Sequence, residues 1–374
     1  MTEPRAWLRR IAFRDFRNLA QASIELPEAG LAVIGENGQG KTNLLEGIYY
    51  MQVLRSVRGT RDQDLVRFGA NGFHIRYDAH MDLAGSHELS VGFESAARRK
   101  RISIDGSVVT RLSDAFGSLP SVIFSPRDIQ MIAGPASERR RFLDLVLALS
   151  SRRYLRSLQL YRATLARRNA ALREASRGSG SDAAVAVWEP ALAEYGATLV
   201  CGRAQWVRER AATFSALAIA MGEAGESLMS YDCVAARDAD PRAALASALE
   251  KHRRLDIRRG MTHPGPHRDD LKLTLDGREL RVFGSAGQQR TAAIALRMLE
   301  GATLRSARGV EPLLLLDDPF AELDARRSAR ILELLRNAGL GQTVLVVPRE
   351  SDIPLELMEL ERRTISGGVV EAAT

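Results

Sequence analysis

Gly35-Glu36-Asn37-Gly38-Gln39-Gly40-Lys41-Thr42 matches the pattern G-x-x-x-x-G-K-[ST]; an apolar run, Leu31-Ala32-Val33-Ile34, precedes it, and a helical one, Asn43 to Tyr50, follows. Strand, glycine-rich loop and helix is the context in which that pattern holds a phosphate. The glycines let the backbone curl until successive N–H groups converge. The helix N-terminus adds partial positive charge. In that arrangement Gly35 through Thr42 wrap a triphosphate, Lys41 reaches its β- and γ-phosphates, and Thr42 offers its hydroxyl to Mg2+. An ordinary glycine turn before a helix is the plainer reading, and chance yields the pattern in roughly one chain in a hundred of this length. The flanking strand and helix weigh against it.

The chain has 374 residues, room for two or three domains, and 45% hydrophobic with 26% charged residues is an ordinary globular balance. No run approaches the ~18 apolar residues of a membrane span. Met1 to Asn18 is interrupted by Arg5, Arg9, Arg10, Arg14, Asp15 and Arg17, which no signal peptide tolerates. Cys201 and Cys233 stand in unrelated contexts, so a reducing, cytoplasmic setting and two buried small hydrophobes are expected. A net charge of +7 points only weakly to a polyanion partner.

Strands are expected over Trp7–Phe13 and Ala22–Leu26, around Phe16-Arg17-Asn18, and over Gly72–Tyr77, Glu88–Phe93 and Arg101–Ile104, with Asp105-Gly106 as a hairpin turn. Ser121–Phe124 reads as a further buried strand. The character then changes. From Ala136 to Arg177 there are eleven arginines and no lysine against Glu138, Asp144 and Glu174, a net of +8. Tyr154, Leu158, Tyr161, Leu165, Arg168 and Leu172 step by four and three along one helical seam. Ser176 to Asp182 breaks it, and Trp188, Leu192, Tyr195, Leu199 and Trp206 form a matching seam, with Pro190 tolerable only in that helix's first turn. A short loop between matched seams implies an antiparallel helical hairpin. Helix is expected to about Arg259, with loops near Met229–Asp232 and Asp238–Pro241. Strands follow at Asp270–Leu275, Leu313–Leu316 and Thr343–Val347, with helices from about Gly287 and Asp324, and a frayed tail from Gly367.

Leu313-Leu314-Leu315-Leu316-Asp317-Asp318 is an apolar strand ending in two acids. Such a strand can set Asp317 beside Mg2+ and Asp318 where it polarises an attacking water. Ser285-Ala286-Gly287-Gln288-Gln289-Arg290 precedes the strand at a helix start, and Phe320-Ala321-Glu322-Leu323-Asp324 follows it. Serine and glutamine at a helix start, then a strand with paired acids, then a loop ending in Asp, is the order of an ABC-type ATPase.

With Phe16-Arg17-Asn18, Gly265-Pro266-His267-Arg268-Asp269-Asp270-Leu271, Glu138 to Asp144, Phe124-Ser125-Pro126, Arg61-Asp62 and Asp64-Leu65 added, the chain from about residue 8 to 348 resembles the RecF family, recombination-repair ATPases related to SMC proteins and Rad50. The resemblance implies an α/β fold: an ABC-type P-loop ATPase head, residues 1–127 and 260–374, split by an inserted α-helical arm domain at 128–259. It implies an ATP-dependent homodimer that clamps single- and double-stranded DNA, hydrolyses ATP slowly with stimulation by DNA, directs RecA onto gapped DNA with RecO and RecR, and serves the SOS response. By the same resemblance Asp317 is the Mg2+-linked acid, and Asp318 takes the place of a transporter's Glu. Ser285 contacts the γ-phosphate in trans, and Ser285, Gly287, Gln288 and Asp324 lie at the dimer interface. Gln130 falls near where a Mg2+- or water-sensing glutamine would sit. Val347-Pro348 departs from the pattern, because family members carry a polar switch residue there.

Arg139, Arg140 and Arg141 are candidate phosphate contacts, against the usual fate of a charge run as a solvated face. The Trp and Tyr seam is expected to be core. His267-Arg268-Asp269-Asp270 is expected to brace a strand through ion pairs. A transporter ATP-binding subunit would share the nucleotide motifs but not an Arg-rich arm of this size. A purely ATP-switched scaffold would suit the missing switch residue.

Overall fold

The computed structural model describes residues 4–319, 325–337 and 341–373. Phe320 to Asp324, and with them the expected interface residue Asp324, lie outside the described residues. The chain divides into two compact units, one built from residues up to Asp128 together with those from Leu296 onward, the other from Ile129–Ala295.

The first unit opens with strands β1 (Ala6–Phe16), β2 (Leu19–Glu25) and β3 (Gly30–Ile34), then helix α1 (Lys41–Val53), and β4 (Gly72–Met81), β5 (Gly85–Glu94), β6 (Arg99–Ile104), β7 (Ser107–Val108) and β8 (Ser121–Phe124). Strands β1, β2 and β4 to β7 form one antiparallel sheet in the order β2-β1-β4-β5-β6-β7. In β1 an irregularity between Leu8 and Arg10 lets Leu8 and Ile11, three apart, both face inward. Asp105-Gly106 makes the β6–β7 turn.

The second unit holds helices α2 (Ala136–Ser150), α3 (Arg152–Ser176), α4 (Glu189–Ala220) and α5 (Pro241–Arg259), with strands β9 (Ser227–Asp232), β10 (Asp270–Leu275) and β11 (Arg278–Glu279). Arg203 meets Tyr154, a Cβ on Gly196 would meet Tyr161, and Arg168 meets Glu189, so numbers fall on α4 as they rise on α3 and the hairpin is antiparallel. Trp206, Tyr154 and Tyr161 of the expected seam are buried, whereas Trp188 and Tyr195 are half-buried. The segment expected as a loop at Met229–Asp232 is instead β9, paired antiparallel with β10. Its pairing is non-local, and its period-two burial is too short to stand out beside helices. The compact unit runs on to Ala295, whereas the arm is expected from the sequence to end at residue 259. Cys233 is buried as expected, but Cys201, on the outer side of α4, is exposed.

The Gly265–Leu271 segment is locked from several sides. Arg203 donates to the Pro266 carbonyl at 2.7 Å and to Asp144 at 2.7 Å. Tyr231 donates to Asp269, and Arg139 grips Asp270 through two bonds of 2.7 and 2.8 Å. His267 Nε2 lies 3.0 Å from the Thr262 carbonyl, which can only accept, so Nε2 carries the proton and Nδ1 accepts from the Tyr161 hydroxyl at 2.7 Å. Burial, with Arg268 and Arg140 nearby and opposed by the Thr262 bond and Asp256, pulls the imidazole down to about 4. The neutral ring is the folded form, so its contribution is complete above the ordinary His pKa near 6.5 and is lost as pH falls toward 4. About 2 kcal/mol should disappear between pH 7 and pH 5. Urea unfolding at the two pH values should show this loss in the parent, and a His267→Gln variant should lack it.

Helix α6 (Ala286–Arg308) is divided between the units at Ala295/Leu296. The first unit then continues with β12 (Leu313–Asp317), α7 (Ala325–Asn337), β13 (Thr343–Val347), β14 (Glu361–Ser366) and β15 (Val369–Ala372). Its second sheet runs β15-β14-β3-β13-β12-β8, parallel throughout except for β15. Strands β12 and β13 are buried along their whole length, the state of parallel strands covered on both faces. The tail expected to fray from Gly367 is instead the β14–β15 hairpin, turned by Gly367 and Gly368 at positive φ. No helix among the described residues is long and apolar enough to cross a membrane.

Candidate functional site

Strand β13 lies between β3 and β12 in parallel register, so the carboxyl ends of all three meet at one edge of the sheet. Gly35 N–H donates to the Val347 carbonyl at 3.2 Å, and Asp318 N–H to the Val346 carbonyl at 3.0 Å. The end of β13 thus separates the glycine loop from the acid pair. Past that end, Thr42 Oγ1 donates to Asp317 Oδ1 at 3.1 Å, a contact across 275 residues of sequence.

Gly38 and Gly40 take φ of 86° and 117°, which the curl of the loop requires and side chains disfavour. Lys41 is 8% exposed. Its ammonium donates to the carbonyls of Gly35 and Glu36. Burial lowers its pKa, against Asp317, Asp318 and Glu36, which favour the charged form. Asp317 is equally buried. Burial raises its carboxyl pKa, while the Thr42 bond, Arg58 and Lys41 pull it back and Asp318 adds to the rise. A buried carboxylate beside a hydroxyl is a pair of hard oxygen donors, and Mg2+ commonly takes one or two such protein ligands together with phosphate oxygens and water. The donor set therefore fits that ion. Asp318 holds φ 45°, a left-handed conformation that Asp tolerates better than most residues.

Ser285, exposed at the start of α6, belongs to the second unit. Its N–H donates to Gln288 Oε1 at 2.9 Å and its Oγ accepts from Gln288 N–H at 3.3 Å, a reciprocal capping pair. Val282 and Phe283, just before it, are exposed.

Within the arginine triplet, Arg139 is turned inward, while Arg140 and Arg141 are half-exposed. Arg139 is 3% exposed, and it bonds Asp270 and the carbonyls of Ile132 and Gly134. It faces the protein's own acceptors and is not placed to meet an outside phosphate. Arg140 donates to the Asp269 carbonyl at 2.6 Å. Both sit near one end of α2 against β10, which the charge run alone did not disclose.

A model described as the RecF/RecN/SMC N-terminal domain matches residues 7–359. The DNA replication and repair protein RecF of Chlorobium phaeovibrioides is 35% identical over 353 residues, 90% of this chain and 92% of that one. The chain belongs to the RecF family. The RecF of Moorella thermoacetica is also 35% identical, over 88% of this chain and 87% of its own. A solved RecF–ATP structure of the RecFOR pathway superposes with a TM-score of 0.91 at 29% identity, covering all of this chain and 99% of that one. An Smc head domain from Pyrococcus furiosus, at 15% identity and TM-score 0.57, shares the fold. The fold is thus an ABC ATPase head of the RecF type.

Two features of this RecF-family site escaped the sequence. Asn18 donates to the Gln39 carbonyl at 2.9 Å and accepts from Asn43 at 2.8 Å, tying the β1–β2 turn to the loop. The β14–β15 turn also docks there: Gly367 N–H donates to Gln39 Oε1 at 2.7 Å and Gly368 N–H to the Gln39 carbonyl at 2.9 Å. Glycine pairs at chain ends are common, so Gly367-Gly368 carried no signal of its own. A Cβ on Gly368 would lie 2.2 Å from the Asn18 carbonyl oxygen, whereas one on Gly367 meets nothing within 4 Å. Gly368→Val should therefore lift the hairpin off the loop and weaken binding of a fluorescent ATP analogue about tenfold, roughly one lost charge-free bond with its strain. Gly367→Ala meets no atom but is strained by its φ of 55°, so it should weaken binding clearly less than Gly368→Val does. Equal affinities in the two variants would remove the hairpin from the site.

Proposed function

We propose that this chain is a cytoplasmic, ATP-dependent DNA-binding repair and replication protein. Two copies close around two ATP molecules, the dimer clamps single- or double-stranded DNA, and it directs RecA onto gapped DNA with RecO and RecR and serves the SOS response. The observation that carries this reading is the Thr42–Asp317 bond, which brings the glycine loop and the strand-end acid into one site. Alignment of nearly the whole chain with an ATP-bound RecF supports it.

In this reading the N–H groups of residues 35–42 cradle the triphosphate, and Lys41 exchanges its two carbonyl partners for phosphate oxygens. Thr42 and Asp317 would hold Mg2+, which neutralises charge developing on the phosphates. Asp318 orients and polarises the attacking water. Ser285, with the N-terminus of α6 behind it, offers a second anion site to the partner's γ-phosphate, and Gly287 and Gln288 line that interface. Exposed Val282 and Phe283 are apolar surface that a second copy would cover. Val347 has no polar side chain to sense the γ-phosphate, so turnover is slow. That same residue favours the second reading, an ATP-switched scaffold with almost no hydrolysis.

Arg139 is excluded from DNA contact by burial. Arg140, Arg141, the exposed Arg153, Arg156, Arg167 and Arg173 of α3, and Arg177 just past its end, remain for phosphate contact, whereas Arg162 pairs with Asp144. Such contacts position a backbone without reading bases. Fluorescence anisotropy on gapped duplex DNA, with and without ATP–Mg2+ across a salt series, is the test. Binding that needs ATP and falls steeply with salt is expected. Absence of binding under both conditions would move the scaffold reading to first place.

A further inference from the structure

Phe68 is 104% exposed, the most of any large hydrophobic side chain among the described residues. One exposed apolar residue is commonplace, but this one is held out by ordered backbone. Ala70 N–H donates to the Arg67 carbonyl at 3.0 Å and Gly69 takes φ 82°, so Phe68 occupies the first central position of a tight turn. Arg67 N–H donates to the Asp15 carbonyl at 2.8 Å, and Val66 bridges to Phe16. The turn is thereby pinned to the end of β1.

The same end of the antiparallel sheet is basic. Ser95 N–H donates to the Asn71 carbonyl at 2.9 Å, which sets the β5–β6 turn, with Arg98 and Arg99, beside the Phe68 turn. One row further in, strand register places Arg14, His74, Gly92 and Arg101 side by side on the outward face, opposite the buried Phe13, Ile75, Val91 and Ile102. In that row the His74 ring leans over Gly92, its Cδ2 3.3 Å from where a Cβ would stand. Arg14, Arg98, Arg99 and Arg101 are exposed and have no carboxylate partner among the described residues. Two carboxylates stand at this end: Glu94, across from Arg99, and Asp15, next to Arg14, which pairs with Arg67 of the Phe68 turn at 3.7 Å. Burial, then Arg14 and Arg76, hold the His74 imidazole below its ordinary range, with Glu88 opposing them.

The geometry points to a contact surface for single-stranded DNA on the first unit, with phosphates along Arg14 and Arg101 and an unpaired base stacked on Phe68. It rests on the DNA-binding reading above and adds the surface and the form of the strand. Arginines meet phosphate whatever the sequence. A solvent-facing aromatic ring engages a base only where that base has a free face, which a duplex denies and a single strand offers. A polar rim without Phe68 would serve both forms alike.

The test uses the full chain with ATP–Mg2+ and two labelled probes, a single strand of about 20 nucleotides and its duplex. Phe68→Ala should weaken single-strand binding about tenfold and leave duplex binding within about twofold. Phe68→Trp should restore the affinity, and its fluorescence should be quenched by the single strand. Arg14→Gln with Arg101→Gln should weaken both and lower the slope of log affinity against log salt by about 1.5. Phe68 has no packing to lose, so these variants keep the fold. If the parent binds both probes while Phe68→Ala matches it on each and Phe68→Trp is unquenched, the inference is overturned and the DNA-binding reading stands. A parent that binds neither probe overturns both.

Discussion

Lys41→Ala should lower ATP affinity about 100-fold, the scale of lost charge-assisted bonds to a phosphate, and abolish any ATP-dependent rise in mass by light scattering. Among the described residues the side chain bonds the Gly35 and Glu36 carbonyls of its own loop, so its removal should leave the fold intact. Ser285→Arg provides the contrast. Ser285 sits in the second unit and caps α6, so the variant should bind ATP within about twofold of the parent. A long cation where the partner's phosphate must approach should still prevent the dimer. If Lys41→Ala dimerises with ATP as the parent does, the nucleotide site is misassigned. If Ser285→Arg dimerises normally, the trans role fails while the loop assignment survives.

Arg168→Ala should cost about 3–5 kcal/mol, the scale for removing one partner of a buried ion pair. Arg168 is 0% exposed and donates to Asp256 at 2.7 Å, Thr262 at 2.8 Å and Glu189 at 2.9 Å, joining α3, α4 and α5 at one point. Alanine would leave Asp256, itself fully buried, with one cation fewer. Arg253, which is partly exposed and shares Glu189, should cost only about 1 kcal/mol when replaced by alanine. Urea unfolding followed by tryptophan fluorescence reports this unit through Trp188 and Trp206. Equal losses for the two arginines would show that burial does not set the cost here.

Arg168 also marks where pattern reading succeeds and where it stops. Its heptad position placed it on the packed seam with Tyr161 and Leu172, because helical geometry turns every such step to one side. That an arginine could occupy a seam depends on carboxylates 21 and 88 residues away. No local rule connects them. The same limit explains Arg139, whose charge suggested an outside phosphate until Asp270 proved to be its partner.

Residues 31–42 carry the pattern of a phosphate loop without help from the rest of the fold, and the proposed nucleotide site rests on it, because glycine conformations, a helix N-terminus and a lysine are local properties. Leu313–Asp318 and Ser285–Arg290 are legible for the same reason: each is a short run whose chemistry and position in an element coincide. The tertiary structure alone decided that Thr42 meets Asp317, that Asn18 and the Gly367-Gly368 turn brace Gln39, that β9 joins the second unit, and that Phe68 is fully exposed among the described residues. Each of these depends on strand register or on chain ends brought together across tens to hundreds of residues. Such contacts carry no periodicity, and nothing along the chain announces them.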